Sequence, residues 1–200
     1  MSTSSDSAQP YHHGDLRRAL IDAAMAALSE GGPESIGLRD VARRAGVSPA
    51  APYRHFENRA ALLAAVATEG FESFRHAQEL AREGLAPEDQ LAAMAHAYVR
   101  FALANPQLFR LMFSAGLEMG RYHKLRAAAD AAYAPLARAA AREDKIAPEE
   151  VAVAAWAFVH GLSMLLLDNQ ILGASPSSAD GLVRSLTARF IAGLRAARLG

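Results

Sequence analysis

The chain contains no cysteine. That excludes disulfides, thiolate metal sites and cysteine nucleophiles, and it fits a reducing cytoplasm. Net charge is also missing: 21 Lys and Arg offset 21 Asp and Glu, so bulk charge does not announce nucleic acid. The amino terminus, MSTSSDSAQP, has no apolar segment of the kind a signal peptide needs, and the expected location is the cytoplasm. The longest apolar run, residues 151–167, is at the lower edge of membrane-spanning length and is interrupted by His160, Gly161 and Ser163. It reads as a helix buried on most sides, with no membrane partner. The signatures of catalysis are lacking too: no Gly-rich phosphate loop, no HExxH, no GxSxG and no clustered carboxylate pair. The histidines are scattered, and His12 and His13 have no further ligands nearby. No catalytic residue, metal or cofactor is expected.

What the chain does have is apolar residues, 52% of 200, enough for a sizeable core in one compact unit or two small ones. It is organised around residues 36–59, IGLRDVARRAGVSPAAPYRHFENR. Val41 and Ala45 sit four apart on one side of a first short helix, residues 38–45. Ala42 is small enough to let a second helix cross closely. Gly46 follows, where leaving the helix requires positive φ. Ser48 then offers a hydroxyl as N-cap and Pro49 occupies the first helical position. Tyr53 and Phe56 give the second helix an apolar side. Four residues for the turn, with a glycine among them, is helix-turn-helix spacing. Charge agrees locally: residues 38–59 hold five Arg against Asp40 and Glu57, and a DNA reader needs a basic face rather than a basic chain.

Around this stretch the pattern is helical throughout, with neither strand-like alternation nor a repeat of twenty to fifty residues. Residues 1–10 read as a disordered tail. Asp15 caps a first helix that Gly31, Gly32 and Pro33 stop. Asn58 caps a long helix with Leu62, Leu63, Val66, Phe71 and Phe74 on its inner face, running to about residue 83, with Gly70 as a weak point. Pro87 opens the next helix, and Asn105-Pro106 is a cap-plus-first-position pair for a short one. An Ala-rich helix spans about 123–143 with a kink at Pro135. An apolar helix runs from Pro148 through Leu172, and a last one covers about 179–198. The domain reading is therefore helix-turn-helix at 11–60, connecting helix at 61–84 and a larger helical part at 85–200.

Two motifs resemble a known family. LRDVARRAG and GVSPAAPYRHFENRAALL are similar to the DNA-binding end of the TetR family of bacterial transcription regulators, over residues 11–66. WAFVHGL resembles the Trp-x-x-x-His-Gly element found in the C-terminal domain of one TetR subgroup. The resemblance implies an all-α fold: an N-terminal three-helix helix-turn-helix domain and a C-terminal helical ligand-sensing and dimerisation domain. Three positions depart from the family pattern. Pro52 stands where Leu or Ile is usual, Arg59 replaces Lys, and Gly37 replaces a capping Thr or Ser. Proline at the fourth helical position removes one early hydrogen bond and crowds the Ser48 carbonyl, so a distorted or 3₁₀ first turn is expected.

A duplex is gripped through phosphates and read through base edges, and a recognition helix enters the major groove N-terminal end first. Pro49, Ala50 and Ala51 then face bases, with only thymine methyls and shape to read. Arg54 lies one turn on, and Arg39 matches a family position that can reach a base. Phosphate contacts carried over from the family fall on Ser48, Tyr53, His55 and Arg59. The remaining helices resemble the ligand-sensing part. Met94, Tyr98, Phe109, Met112, Phe113, Trp156 and Met164 are its candidate pocket lining, although such residues are also plain core. The partners implied are a double-stranded DNA operator, an unidentified small apolar effector and a second copy of the chain.

The second copy has its own support. The run AVAAWAFVHGLSMLLL is apolar almost all round, and one neighbouring layer leaves part of it wet. With the last helix it makes half of a four-helix bundle, completed by the partner. Phe158, Leu162, Leu165, Leu182, Leu186 and Phe190 are the expected interface. The competing readings are burial of both helices within the monomer, and a helical interaction or carrier protein whose helix-turn-helix no longer binds DNA.

Overall fold

In the computed structural model, residues 13–140, 148–171 and 176–196 are described. They hold eight α-helices, and no strand occurs among them. The expected tail at 1–10 lies outside the described residues, as does His12. Two compact units divide the chain, one ending at Val66 and the other starting at Ala67.

The first unit begins with α1 (His13–Gly31). The expected start at Asp15 falls inside it. Gly32 turns the chain with φ 72°, and Pro33–Ser35 forms a single 3₁₀ turn. The Ser35 hydroxyl ties this turn back to the carbonyl of Ala27 at 2.7 Å. Helix α2 (Leu38–Arg44) follows, without a side-chain cap from Gly37. It ends at Gly46, whose φ of +69° is the positive value the sequence anticipates.

The second arm of the motif departs from expectation. Instead of an α-helix capped by Ser48, the chain makes a 3₁₀ turn over Ala51–Arg54, preceded by Ala50 with no side-chain cap bond. Ser48 contributes its backbone carbonyl, accepting from the Ala51 amide at 3.0 Å. The physical cause is Pro52: it has no N–H to return to Ser48, and its ring excludes the α-geometry there. Its own carbonyl takes the amides of both His55 and Phe56 at 2.9 Å. Pro52 is buried, and its ring faces inward on the side opposite the exposed Pro49, Ala50, Tyr53 and Arg54. The core beneath is Leu20, Ile21, Leu28, Ile36, Val41 and Phe56, each at most 3% exposed.

Helix α3 (Arg59–Arg82) starts with the expected Asn58 cap, whose Oδ1 accepts from the Ala61 amide at 3.0 Å. The boundary between the units falls inside it, at 66/67. In the second unit, Gly84, with φ +71°, precedes α4 (Pro87–Ala104). Asn105 does not cap α5 (Pro106–Met112) with its side chain; its Nδ2 instead donates to the Phe101 carbonyl and closes α4. Helix α6 (His123–Ala140) continues through Pro135. The expected end of that helix, at 141–143, lies outside the described residues.

Helix α7 (Pro148–Leu167) stops five residues short of the expected Leu172. Asn169 takes φ 54°, and the Gln170 amide reaches back to the Leu165 carbonyl at 2.9 Å, which closes the last turn. Helix α8 (Pro176–Ala196) completes the unit. Helix α4 packs against α7 and α8, and α6 against α7. Within the described residues, α7 from Glu149 to Leu167 is long and apolar enough to cross a membrane, yet only 33% of it is buried in the chain. The expectation of burial on most sides is therefore corrected: one face is covered, and Val153 and Leu165 are exposed on another.

Candidate functional site

Two sites emerge, one in each unit. In the first, the segment from Ser48 to Arg54 is presented on the surface by Pro52 beneath it. Ser48, Pro49, Ala50 and Arg54 are exposed, Tyr53 is 54% exposed, and Ala51 is half-buried. Arg39 is exposed at the start of α2. His55 is half-buried, and its Nε2 has no hydrogen-bond partner. Pro49, Ala50, Ala51 and Arg54 thus share one segment with Tyr53, Ala51 and Arg54 lying on a 3₁₀ turn rather than a full α-helix, while Arg39 stands apart on α2.

The other arginines are committed within the fold. Arg44 forms a two-pronged ion pair with Glu30, at 3.0 and 2.7 Å. The hydrogen bonds and charge of Arg44 hold the Glu30 carboxyl below the usual carboxylate range. Arg43 pairs with Asp40 at 3.0 Å. Both side chains are exposed, as expected for a solvated helix face. Arg59 is the unexpected one. Its Nε donates to the Ile36 carbonyl at 2.7 Å and its Nη2 to the Pro33 carbonyl at 2.6 Å. Its guanidinium staples the start of α3 to the segment before α2.

The second site is a cavity of about 360 Å³ between α3, α4, α6 and α7 in the second unit. Its frame is aromatic. Phe74 meets Tyr98 edge-on at 4.9 Å, Phe71 meets Phe113 at 5.5 Å, and Tyr133 meets Trp156 at 5.8 Å. Such edge-to-face pairs fix ring orientation as well as burying area. Trp156 Nε1 donates to the Tyr98 hydroxyl at 3.2 Å, and that hydroxyl lies 2.9 Å from His160 Nδ1. Burial pushes the Tyr98 phenol well above its ordinary range. Burial also pushes His160 down, so near neutral pH this three-residue relay carries no charge.

Of the expected lining, Tyr98, Phe113 and Trp156 face the cavity. Phe109 and Met112 do not: both are 0% exposed in the core behind it. Met94 borders a separate void of about 30 Å³, and Met164 lines neither. Sequence reasoning missed Phe71, Phe74, Gln78 and Tyr133 as cavity residues. One signal was available. Gln78 is a polar residue on the same α3 face as Phe71 and Phe74, and an inner face has no use for a polar side chain without a purpose.

The expected partner surface divides as well. Leu162 is 6% exposed and packs with Val99, Leu166 and Val183 inside the chain. Phe158 stacks on Phe190 at 4.5 Å, and Leu186 joins the same cluster. Leu182 is half-buried, while Leu165 is 47% exposed. Much of the expected interface thus joins α7 to α8, and Leu165 remains outward.

Residues 20–66 match the family model for bacterial regulatory proteins of the tetR family, and residues 91–190 match that for the tetracyclin repressor-like C-terminal domain. The chain is similar to a Rhodococcus sp. RHA1 protein of unknown function. The two are 35% identical with a TM-score of 0.78, over 92% of this chain and 98% of that one. It shares its fold with a putative TetR-family transcriptional regulator from Rhodococcus sp., at 22% identity and TM-score 0.65, covering 85% and 95% of the two chains. The same fold appears in a TetR variant from Acinetobacter baumannii AYE in complex with minocycline, at 24% identity and TM-score 0.63, covering 94% and 98%.

Proposed function

We propose that this chain, which belongs to the TetR family of transcriptional regulators, is a ligand-responsive repressor that binds a near-palindromic operator as a homodimer. The observation that carries the DNA reading is the outward Ser48–Arg54 segment held from below by Pro52. Arg39 and Arg54 supply the polar base readers, and Pro49, Ala50 and Ala51 read thymine methyls and groove shape. Ser48, Tyr53, His55 and Arg59 contact phosphates. Two copies place their reading segments about 34–36 Å apart, one turn of B-DNA. Residues 11–60 serve DNA, 61–84 couple the parts, and 85–200 sense and dimerise. Trp156, His160 and Gly161 support membership of the subgroup bearing the Trp-x-x-x-His-Gly element. A protein acting on chromosomal DNA needs to be in the cytoplasm, which is the location this reading carries.

The effector enters the aromatic cavity of the second unit. It acts by preferring a conformation whose reading segments no longer match the duplex, and differential affinity of several kcal/mol is needed for a full switch. The minocycline complex of a protein sharing the fold supports a small-molecule partner for this chain. Sequencing the genomic fragments retained by the purified protein tests the whole reading. The expected result is a two-fold symmetric site whose affinity falls steeply with salt. Retention that is insensitive to salt, or to scrambling one half-site, overturns it in favour of a helical carrier protein.

A further inference from the structure

The cavity assigned above to the effector has a charge and a polarity that restrict what it takes. Among the described residues only two charged side chains border it, Arg126 and Asp130, and they pair with each other: both carboxylate oxygens lie 2.9 Å from Arg126 Nε. Both are largely exposed, 64% and 62%, so the pair belongs to the rim. Nothing inside compensates an ion that has shed its water, and an uncompensated buried charge is costly. The neutral Trp156–Tyr98–His160 relay adds none.

One polar group on the wall is unfinished. Gln78 is 4% exposed. Its Nε2 donates to the Ala132 carbonyl at 3.3 Å. Its Oε1 meets no donor among the described residues. That oxygen is not sealed off from solvent, so an arriving donor takes the place of water there. Gln78 also borders the void of about 30 Å³, room for a single water, so the experiment must separate the two uses of that oxygen. The rings around it meet at steep angles, 89° for Phe74 with Tyr98 and 79° for Phe71 with Phe113. The wall therefore presents both faces and edges, which a flat aromatic guest can meet by stacking and by edge contact. A volume of about 360 Å³ is at the small end of ligand pockets and suits about two or three rings.

We propose that the effector is an uncharged, planar aromatic molecule with a hydroxyl or N–H group, its rings held among Phe74, Phe113 and Trp156 and its donor on Gln78 Oε1. This rests on the effector-cavity reading and narrows it.

Trp156 is the only tryptophan in the chain and lines the cavity, so intrinsic fluorescence reports occupancy directly. Four probes on one scaffold, offered to the full-length protein at neutral pH, isolate each claim: 4-phenylphenol, biphenyl, biphenyl-4-carboxylate and biphenyl-4-yl-trimethylammonium. Calorimetry gives the affinities. 4-Phenylphenol is expected to bind about five- to tenfold tighter than biphenyl, one hydrogen bond's worth, and both ions at least about tenfold weaker than 4-phenylphenol. Gln78→Leu erases the phenol's advantage and leaves biphenyl within about twofold; Gln78→Met is the second variant should leucine disturb packing. Tighter binding of either ion, or a phenol advantage that survives both substitutions, overturns the proposed class while leaving the cavity's role standing. A loss of phenol and biphenyl affinity in equal measure assigns Oε1 to the small void and overturns it too. If no probe perturbs Trp156, the effector-cavity reading itself falls, and the proposal with it.

Discussion

Arg59 is bound to Ile36: its Nε donates to the Ile36 carbonyl at 2.7 Å, across 23 residues of chain, while Nη2 holds Pro33. The residue proposed to grip phosphate is therefore also a clamp within its own unit. Arg59→Lys separates the roles. Lysine keeps the charge but cannot span two carbonyls with a planar fork. Its thermal midpoint should drop by the equivalent of about 1–3 kcal/mol, with the salt slope of DNA binding retained. Arg59→Ala should lose both and weaken binding to all sequences alike. An alanine variant with unchanged melting contradicts the clamp.

Ser48 makes no cap, because the 3₁₀ turn starts beyond it. Loss of a true N-cap costs about 1 kcal/mol. Ser48→Ala should therefore shift chemical-denaturation stability by less than about 0.5 kcal/mol while weakening operator binding several-fold. A large loss of stability assigns the hydroxyl to folding instead.

Gly70 is a point of close approach. A Cβ there would lie 2.8 Å from Met112 Sδ and 3.0 Å from a Leu108 methyl, and Met112 is fully buried. Alanine gains about 1 kcal/mol of helix propensity but overpacks a closed site at a cost of about 1–3 kcal/mol. Gly70→Ala should be net destabilising by about 1 kcal/mol in urea unfolding, the opposite of what its position inside a helix suggests.

Leu162 and Leu165 lie three apart on α7 with opposite fates: 6% and 47% exposed. Leu165→Arg should leave helicity intact and shift sedimentation toward monomer at micromolar concentration. Leu162→Arg buries a charge and should unfold the second unit. Dimers that survive Leu165→Arg place the contact elsewhere.

His160 sets a pH dependence. Burial lowers its folded-state value below the ordinary 6.5. Above pH 6.5 it is largely neutral whether folded or unfolded, and its contribution is constant. As pH falls below 6.5 the unfolded chain takes the proton first, so stability is lost until pH passes the folded value, where the loss levels off. His96 is lowered by burial in the same direction, with Asp180 opposing. The thermal midpoint should fall between pH 7.5 and 5.5, and less steeply in His160→Gln. Equal slopes would remove His160 from the account.

How much of this was legible in advance follows from the range of the interactions. Helix existence, the positive φ at Gly46 and the Asn58 cap are local events, set within a few residues, and the sequence alone determined them. Pro52 signalled a disturbed turn, since a missing N–H is also local. How far the disturbance spreads, a 3₁₀ turn over Ala51–Arg54 in place of a longer helix, shows only in the folded chain. The role of Asn105 and the end of α7 differ from expectation: Asn105 closed the helix before it rather than capping the one after, and Asn169 stopped α7 ahead of Leu172. The cavity is a different matter. Each apolar stripe announces that it is buried but not against what, and apolar attraction has no direction. Whether Phe109 fills the core while Phe71 faces a void depends on how α3, α4, α6 and α7 cross. Only the tertiary structure decides that, as it alone decides that the Gln78 amide meets Ala132 and leaves its oxygen for something else.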